Sequence, residues 1–256
     1  MSDKNILFLS ENDIKKVLSM EETIGLMRDA FKQISQGTVS TPIRTSIDIP
    51  GYDAGALFMP VHSVQSDLIG LKMVSVFKNN PALNLPLIHA LVLLMDGKTG
   101  VPLSIMDGEY VTALRTGAGS GLASDLLSRS NSNTLGIIGA GVQGRTQMAA
   151  VCAVRDIQKV IIWDKSEKSA ENLAEYTQES LEVDVEINPA ENRISECDII
   201  CTATSSATPV FSDIKLKEGV HINAIGAYQP DKREIPGETI HRSKLMPTEA
   251  SQLRVI

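Results

Sequence analysis

The chain has 256 residues, 43% of them hydrophobic and 21% charged, with a formal net charge of −7. That is ordinary globular composition with enough apolar material for a sizeable core, in one large or two modest domains. An acidic balance with no basic cluster excludes nucleic acid and anionic membrane surfaces as expected partners.

Three cysteines, Cys152, Cys197 and Cys201, sit among apolar and small residues. An odd, sparse set reads as small buried hydrophobes in a reducing compartment rather than a disulfide framework. The histidines His62, His89, His221 and His241 have no metal-ligand spacing, and no metal is expected. The only early apolar run, Ile6 to Leu9, is too short for a signal peptide or membrane span, so a cytoplasmic location is expected.

In chain order, Ser10 with Asp13 forms a capping-box pattern that starts a helix ending near Leu18. A second helix is expected from Glu21 to Gln36, with Ile24, Met27, Ala30, Phe31 and Ile34 at helical spacing and Gly37 as its stop. Strands are expected at 44–49, 56–59, 70–77 and 89–96, separated by Gly and Pro clusters. A helix at 109–127 contains Gly117, Gly119 and Gly121, a spacing that suggests close packing or close ligand approach. From Thr134 the pattern alternates, with strands at 134–139, 159–163, 183–187, 198–203 and 220–225 and helices at 142–153, 167–180 and 191–196. Such alternation predicts a doubly wound parallel sheet.

The strand Thr134–Gly139 runs into Gly139-Ala-Gly141-Val-Gln-Gly144, a G-x-G-x-x-G fingerprint between predicted strand and helix. Gly139 would make the tight turn, Gly141 admit the pyrophosphate, and Gly144 let helix and strand pack. Free N–H groups at the helix start favour phosphate charge. The next strand ends at Asp164, 25 positions after Gly139, where a carboxylate can accept from the adenosine ribose hydroxyls. A carboxylate there repels a 2′-phosphate, which favours NAD over NADP, although Lys165 softens the preference.

These residues resemble the ornithine cyclodeaminase/mu-crystallin family over nearly the whole chain. The segments that carry the resemblance are Thr41-Pro-Ile-Arg44, Phe58-Met-Pro60, Gly70-Leu-Lys72, Met106-Asp-Gly108, Thr112-Ala-Leu-Arg-Thr-Gly-Ala118, Gly139–Gly144, and Asn223-Ala-Ile-Gly226 through Glu234. The resemblance implies an α/β protein: an α+β substrate and dimerisation domain (1–116) ahead of a Rossmann domain (117–256). It further implies bound NAD, with NADP possible, a homodimer, and chemistry at the α-carbon of a small amino or imino acid. By the same resemblance Arg44, Lys72 and Arg115 hold the substrate carboxylate, with Met59 nearby. The cofactor contacts so implied are Thr116, Gly139, Gly141, Val142, Gln143, Gly144, Asp164, Thr204, Ile225, Gly226 and Lys232. Converging cations of this kind are costly unless an anion neutralises them, and Lys72 stands in the apolar run Ile69-Gly-Leu-Lys-Met-Val.

Two departures from the family pattern shape the expectation. Family members that deaminate ornithine or oxidise alanine carry an acid/base aspartate where this chain has Tyr228; Asp231 falls three positions later, in a Pro-Asp dipeptide like that of mu-crystallin and the imine reductases. Leu87 also stands where a threonine is common. The expected activity is therefore reduction of a cyclic imino acid, of the pyrroline-2-carboxylate or ketimine type, with Lys72 and Asp231 as the catalytic candidates. Ornithine cyclodeamination, amino-acid dehydrogenation, and a non-catalytic binding role remain the alternatives. The second departure follows Ser243-Lys244, where the family pattern continues with a strand and helices while this chain reads Leu245–Ile256 and stops. The C-terminal part of the family fold is thus expected to be missing, leaving a truncated or inactive member as a further alternative.

Overall fold

A computed structural model describes residues 5–188, 191–227 and 232–246. The chain divides into two compact units, Met1–Arg115 and Thr116–Ile256.

The first unit opens with β1 (Leu7–Leu9), α1 (Glu11–Val17) and α2 (Met20–Ser35). The Ser10–Asp13 capping box forms as the sequence predicts, and a second one, Ser19 with Glu22, starts α2. Then come β2 (Val39–Ser40), β3 (Thr45–Ile49), β4 (Ala54–Ser63), β5 (Leu68–Phe77), β6 (Ile88–Asp96) and β7 (Pro102–Asp107). They form a seven-stranded mixed sheet in the order β1-β7-β6-β5-β4-β2, with β3 also on β4. Only β1 with β7 is parallel; the remaining pairs are antiparallel. Strand β4 runs through Pro60, which cannot donate to a ladder. Pro60 falls in the gap between the residues that pair with β3 (54–58) and those that pair with β2 (62–63), where a missing N–H costs little.

Helix α3 (Gly108–Leu127) starts where the Asp107 carboxylate accepts from the Tyr110 N–H at 2.8 Å. In the second unit, the Arg155 guanidinium caps its other end by donating to the carbonyls of Ser124, Asp125 and Ser128. A methyl on Gly117 would meet the Thr146 carbonyl oxygen at 2.6 Å, so this glycine serves close packing of α3 on the next helix.

That unit continues with β8 (Thr134–Ile138), α4 (Val142–Cys152), β9 (Lys159–Trp163), α5 (Glu167–Ser180), β10 (Asp184–Ile187), β11 (Ile199–Thr202), β12 (His221–Ala224) and α6 (Gly237–Arg242). The strands make one parallel sheet in the order β10-β9-β8-β11-β12. Its strands are continuously apolar because both faces are covered. Leu135, Ile137, Val160, Ile162, Ile199 and Cys201 point to the side of α4 and α5, where Met148, Val151 and Leu173 pack. Ile138, Ile161, Trp163 and Ile200 point the other way, onto Ile194, Phe211 and Leu216. At about 1.5–3 kcal/mol per buried large apolar side chain, these two layers dominate the stability of the unit.

The helix expected at 191–196 is a 3-10 segment, Glu191–Glu196. Six residues make under two α-turns, and the segment must bury Ile194 and then turn so that Cys197, just beyond it, also enters the core. Burial pushes the Cys152, Cys197 and Cys201 thiols up to about 12, which suits inert core residues. Among the described residues, no helix is long and apolar enough to cross a membrane, and no group of His, Cys, Asp and Glu could hold a metal ion.

Candidate functional site

In the first unit, the sheet register builds a row of side chains on one face. Met59 pairs with Lys72, Lys72 with Val92, and Val92 with Met106. Lys72 is therefore a half-buried ammonium flanked across the strands by Met59 and Val92. Burial first, and the Arg115 charge second, lower its pKa to about 8. Arg115, on α3, remains exposed in surface terms, yet burial lowers its pKa too. Neither cation has an ion pair or hydrogen bond to a described residue. Two like charges that act on one another, both partly desolvated, form a site that an anion would stabilise. Arg44 directly precedes Thr45, the partner of Phe58, so it stands one step beyond the register, toward Met59. It is exposed.

In the second unit, the loop after β8 has the geometry of a phosphate cradle. Gly139 has φ +102, and a methyl on it would lie 2.5 Å from the Ala203 carbonyl oxygen. A methyl on Gly144 would lie 2.0 Å from the Gly139 carbonyl oxygen, so helix and turn touch backbone to backbone. Gly141 differs: a methyl there would meet nothing within 4 Å. The protein itself does not require glycine at that position, whereas a phosphate approaching the loop would. Gly141 is also the N-cap of α4 without a side-chain cap, which leaves the first-turn N–H groups free. The residues present thus fit a dinucleotide.

Asp164 follows β9 as the sequence predicts, but its carboxylate is also tied to backbone. One oxygen accepts from the Ala140 N–H at 2.6 Å and the other from the Ser166 N–H at 2.7 Å. Each oxygen keeps a further lone pair for a ribose hydroxyl. Val142 is exposed at the start of α4, while the Gln143 side-chain oxygen is buried without a partner. Thr116 adjoins Gly117, which packs on α4. Thr204 and Gly226 follow β11 and β12, and Ile225 donates its N–H to the Thr202 carbonyl. Lys232 is half-buried. Tyr228 and Asp231, like the final residues 247–256 on which the expected missing C-terminal part turns, lie outside the described residues.

One residue without a role in the sequence reading organises this end of the sheet. Glu234 is 1% exposed, and its carboxylate accepts from the Thr202 hydroxyl (2.9 Å), the Thr204 N–H and hydroxyl (both 2.6 Å) and the Gly226 N–H (2.7 Å). A methyl on Gly226 would strike this carboxylate at 2.6 Å. The only sequence signal was an acid set in Arg233-Glu-Ile-Pro236, inside a family segment.

Comparison with known proteins gives a consistent family. The sequence profile of the ornithine cyclodeaminase/mu-crystallin family matches residues 4–255. A Delta(1)-pyrroline-2-carboxylate reductase of Bacillus cereus is 39% identical over 248 residues, covering 96% of this chain and 76% of that protein. The structure of Thermococcus litoralis Delta(1)-pyrroline-2-carboxylate reductase in complex with NADH and L-proline superposes with a TM-score of 0.89 at 39% identity, over 93% of this chain and 74% of that one. An archaeal alanine dehydrogenase dimer with bound NAD superposes with a TM-score of 0.86 at 33% identity, over 93% and 73%.

Proposed function

The chain belongs to the ornithine cyclodeaminase/mu-crystallin family, and we propose that it is an NADH-dependent reductase of a small cyclic imino acid, of the pyrroline-2-carboxylate type. The observation that carries this reading is the uncompensated cation pair Lys72 and Arg115. A planar carboxylate can pair with both, offsetting part of their charge, and the Arg115 guanidinium can take it bidentately. Arg44 adds a third positive charge from the end of β3. When bound, the reduced nicotinamide supplies a hydride to the C=N carbon. The residues of this chain hold the dinucleotide through the Gly139–Gly144 loop and Asp164, orient the imino acid by its carboxylate, and deliver a proton to the imine nitrogen. Lys72, with its pKa lowered to about 8, is suited to give that proton. Asp164 favours NADH by repelling a 2′-phosphate. Free buried thiols suit a cytoplasmic setting.

The test is a panel of cyclic imino acids assayed for NADH oxidation, run beside ornithine. NADH consumption with pyrroline-2-carboxylate is expected. Proline and ammonia from ornithine without net NADH change would replace the reductase reading with cyclodeamination.

A homodimer fits the first unit. One face of its sheet leaves Phe8, Ile47, Met73 and Leu91 exposed by 71, 51, 41 and 51%. Met73 and Leu91 are direct cross-strand partners there. An apolar sheet face of this kind is a contact surface, and the archaeal alanine dehydrogenase relative is a dimer. A solution mass equal to one chain at micromolar concentration would contradict it.

A further inference from the structure

We propose that Glu234 is a positioning residue that fixes the Thr204 hydroxyl as a hydrogen-bond acceptor for the carboxamide N–H of the nicotinamide; this rests on the dinucleotide reading above. The placement follows from the sheet. Asp164 lies at the end of β9, on one side of β8, and takes the adenosine end. The nicotinamide half would then fall on the other side, toward the carboxyl ends of β11 and β12, past the boundary between β8 and β11 at which the strand order reverses. Thr204 and Gly226 follow those two strands, and both are tied to one carboxylate.

A hydroxyl offers one donor and two acceptor sites. The Thr204 hydroxyl gives its proton to Glu234 Oε1 at 2.6 Å and accepts from the Ser206 N–H at 3.1 Å. One lone pair remains, so the group can only accept from a ligand. The rigid donor on the nicotinamide is its carboxamide N–H. Glu234 makes this polarity permanent: it has no Lys or Arg partner among the described residues, and its four donors are what keep a buried carboxylate satisfied. Glutamine cannot replace it. One of its two ends would be an amide N–H₂ facing N–H or O–H donors, either those from Thr204 or those from Thr202 and Gly226.

The experiment compares binding of NADH with that of the reduced acetylpyridine analogue, in which a methyl replaces the carboxamide nitrogen. Trp163, the only tryptophan, is buried at the end of β9 and reports either ligand by energy transfer, with no imino acid present. The wild type should prefer NADH by roughly three- to tenfold, the range for one hydrogen bond. Thr204→Val and Glu234→Gln should lose that preference to within about twofold, chiefly through weaker NADH binding, while Thr204→Ser keeps it. Thr204→Val leaves the Thr202 and Gly226 contacts to Glu234 in place, so it decides the matter if Glu234→Gln fails to fold. A preference retained in Thr204→Val, absent from the wild type, or replaced by equal weakening of both ligands, overturns the assignment. Absence of any NADH binding to the wild type would instead overturn the functional reading itself.

Discussion

Arg115→Ala should raise the KM for a carboxylate-bearing imino acid by roughly 30- to 100-fold while changing NADH affinity by less than about threefold. Removing one partner of a charged, hydrogen-bonded contact costs about 2–5 kcal/mol, and solvent access to Arg115 places the effect at the low end. The same variant changes a titration. The Lys72 pKa is near 8 because burial and, secondarily, the Arg115 charge disfavour the ammonium. The ammonium is the form that holds a carboxylate and donates a proton, and it is populated below that pKa. Wild-type kcat/KM should therefore fall as pH rises through about 8. In Arg115→Ala that limb should move to higher pH, though not to the ordinary lysine value, because burial persists. Steady-state kinetics across pH 6–10, a span chosen at about two units either side of that pKa, measure both effects. A normal KM, or a limb that moves the other way, removes Arg115 from the substrate site.

Gly144→Ala and Gly141→Ala should separate what the fold needs from what the cofactor needs. At Gly144 the added methyl would sit 2.0 Å from a backbone oxygen, which cannot yield without opening the turn. Overpacking of that severity costs about 3 kcal/mol or more, and Tm should fall by roughly 6–12 °C, with NADH binding lost. At Gly141 the methyl meets no protein atom, and φ is −78, which alanine adopts freely. Tm should stay within about 2 °C of wild type, while the NADH Kd rises at least about tenfold because the methyl occupies the phosphate approach. Thermal melts and fluorescence titrations give the two readouts. Undiminished NADH binding in Gly141→Ala would mean that this loop is not the pyrophosphate cradle.

Much of the second unit was legible because a parallel sheet buried on both faces writes continuous apolar runs, as in Val160-Ile-Ile-Trp163, bounded by polar residues such as Gln158-Lys159 and Asp164-Lys165-Ser166. The first unit was less so. Strand β1 is three residues long and exposed, and β7 begins at Pro102 and carries an exposed Leu103, so neither gives a period of two. Strand β4 runs beyond the 56–59 expected from sequence because Pro60, ordinarily a strand breaker, falls in the gap between its partners, and His62 pairs with Ser40 of β2. Within the candidate site, Lys72 was legible as a charge inside an apolar strand and the glycines as a fingerprint at the right place. Glu234 was not: its donors lie up to 32 positions away, at the ends of two strands that only the fold brings together. The backbone ties of Asp164 were hidden for the same reason, since the Ala140 N–H reaches it across 24 positions.

The most direct test of the account follows the hydride. Pyrroline-2-carboxylate and NADH deuterated at the transferred position of the nicotinamide C4 should give proline with one deuterium at the α-carbon, one NADH consumed per proline formed. Proline formed from ornithine with no net loss of NADH, and no turnover of the imino acid, would contradict it.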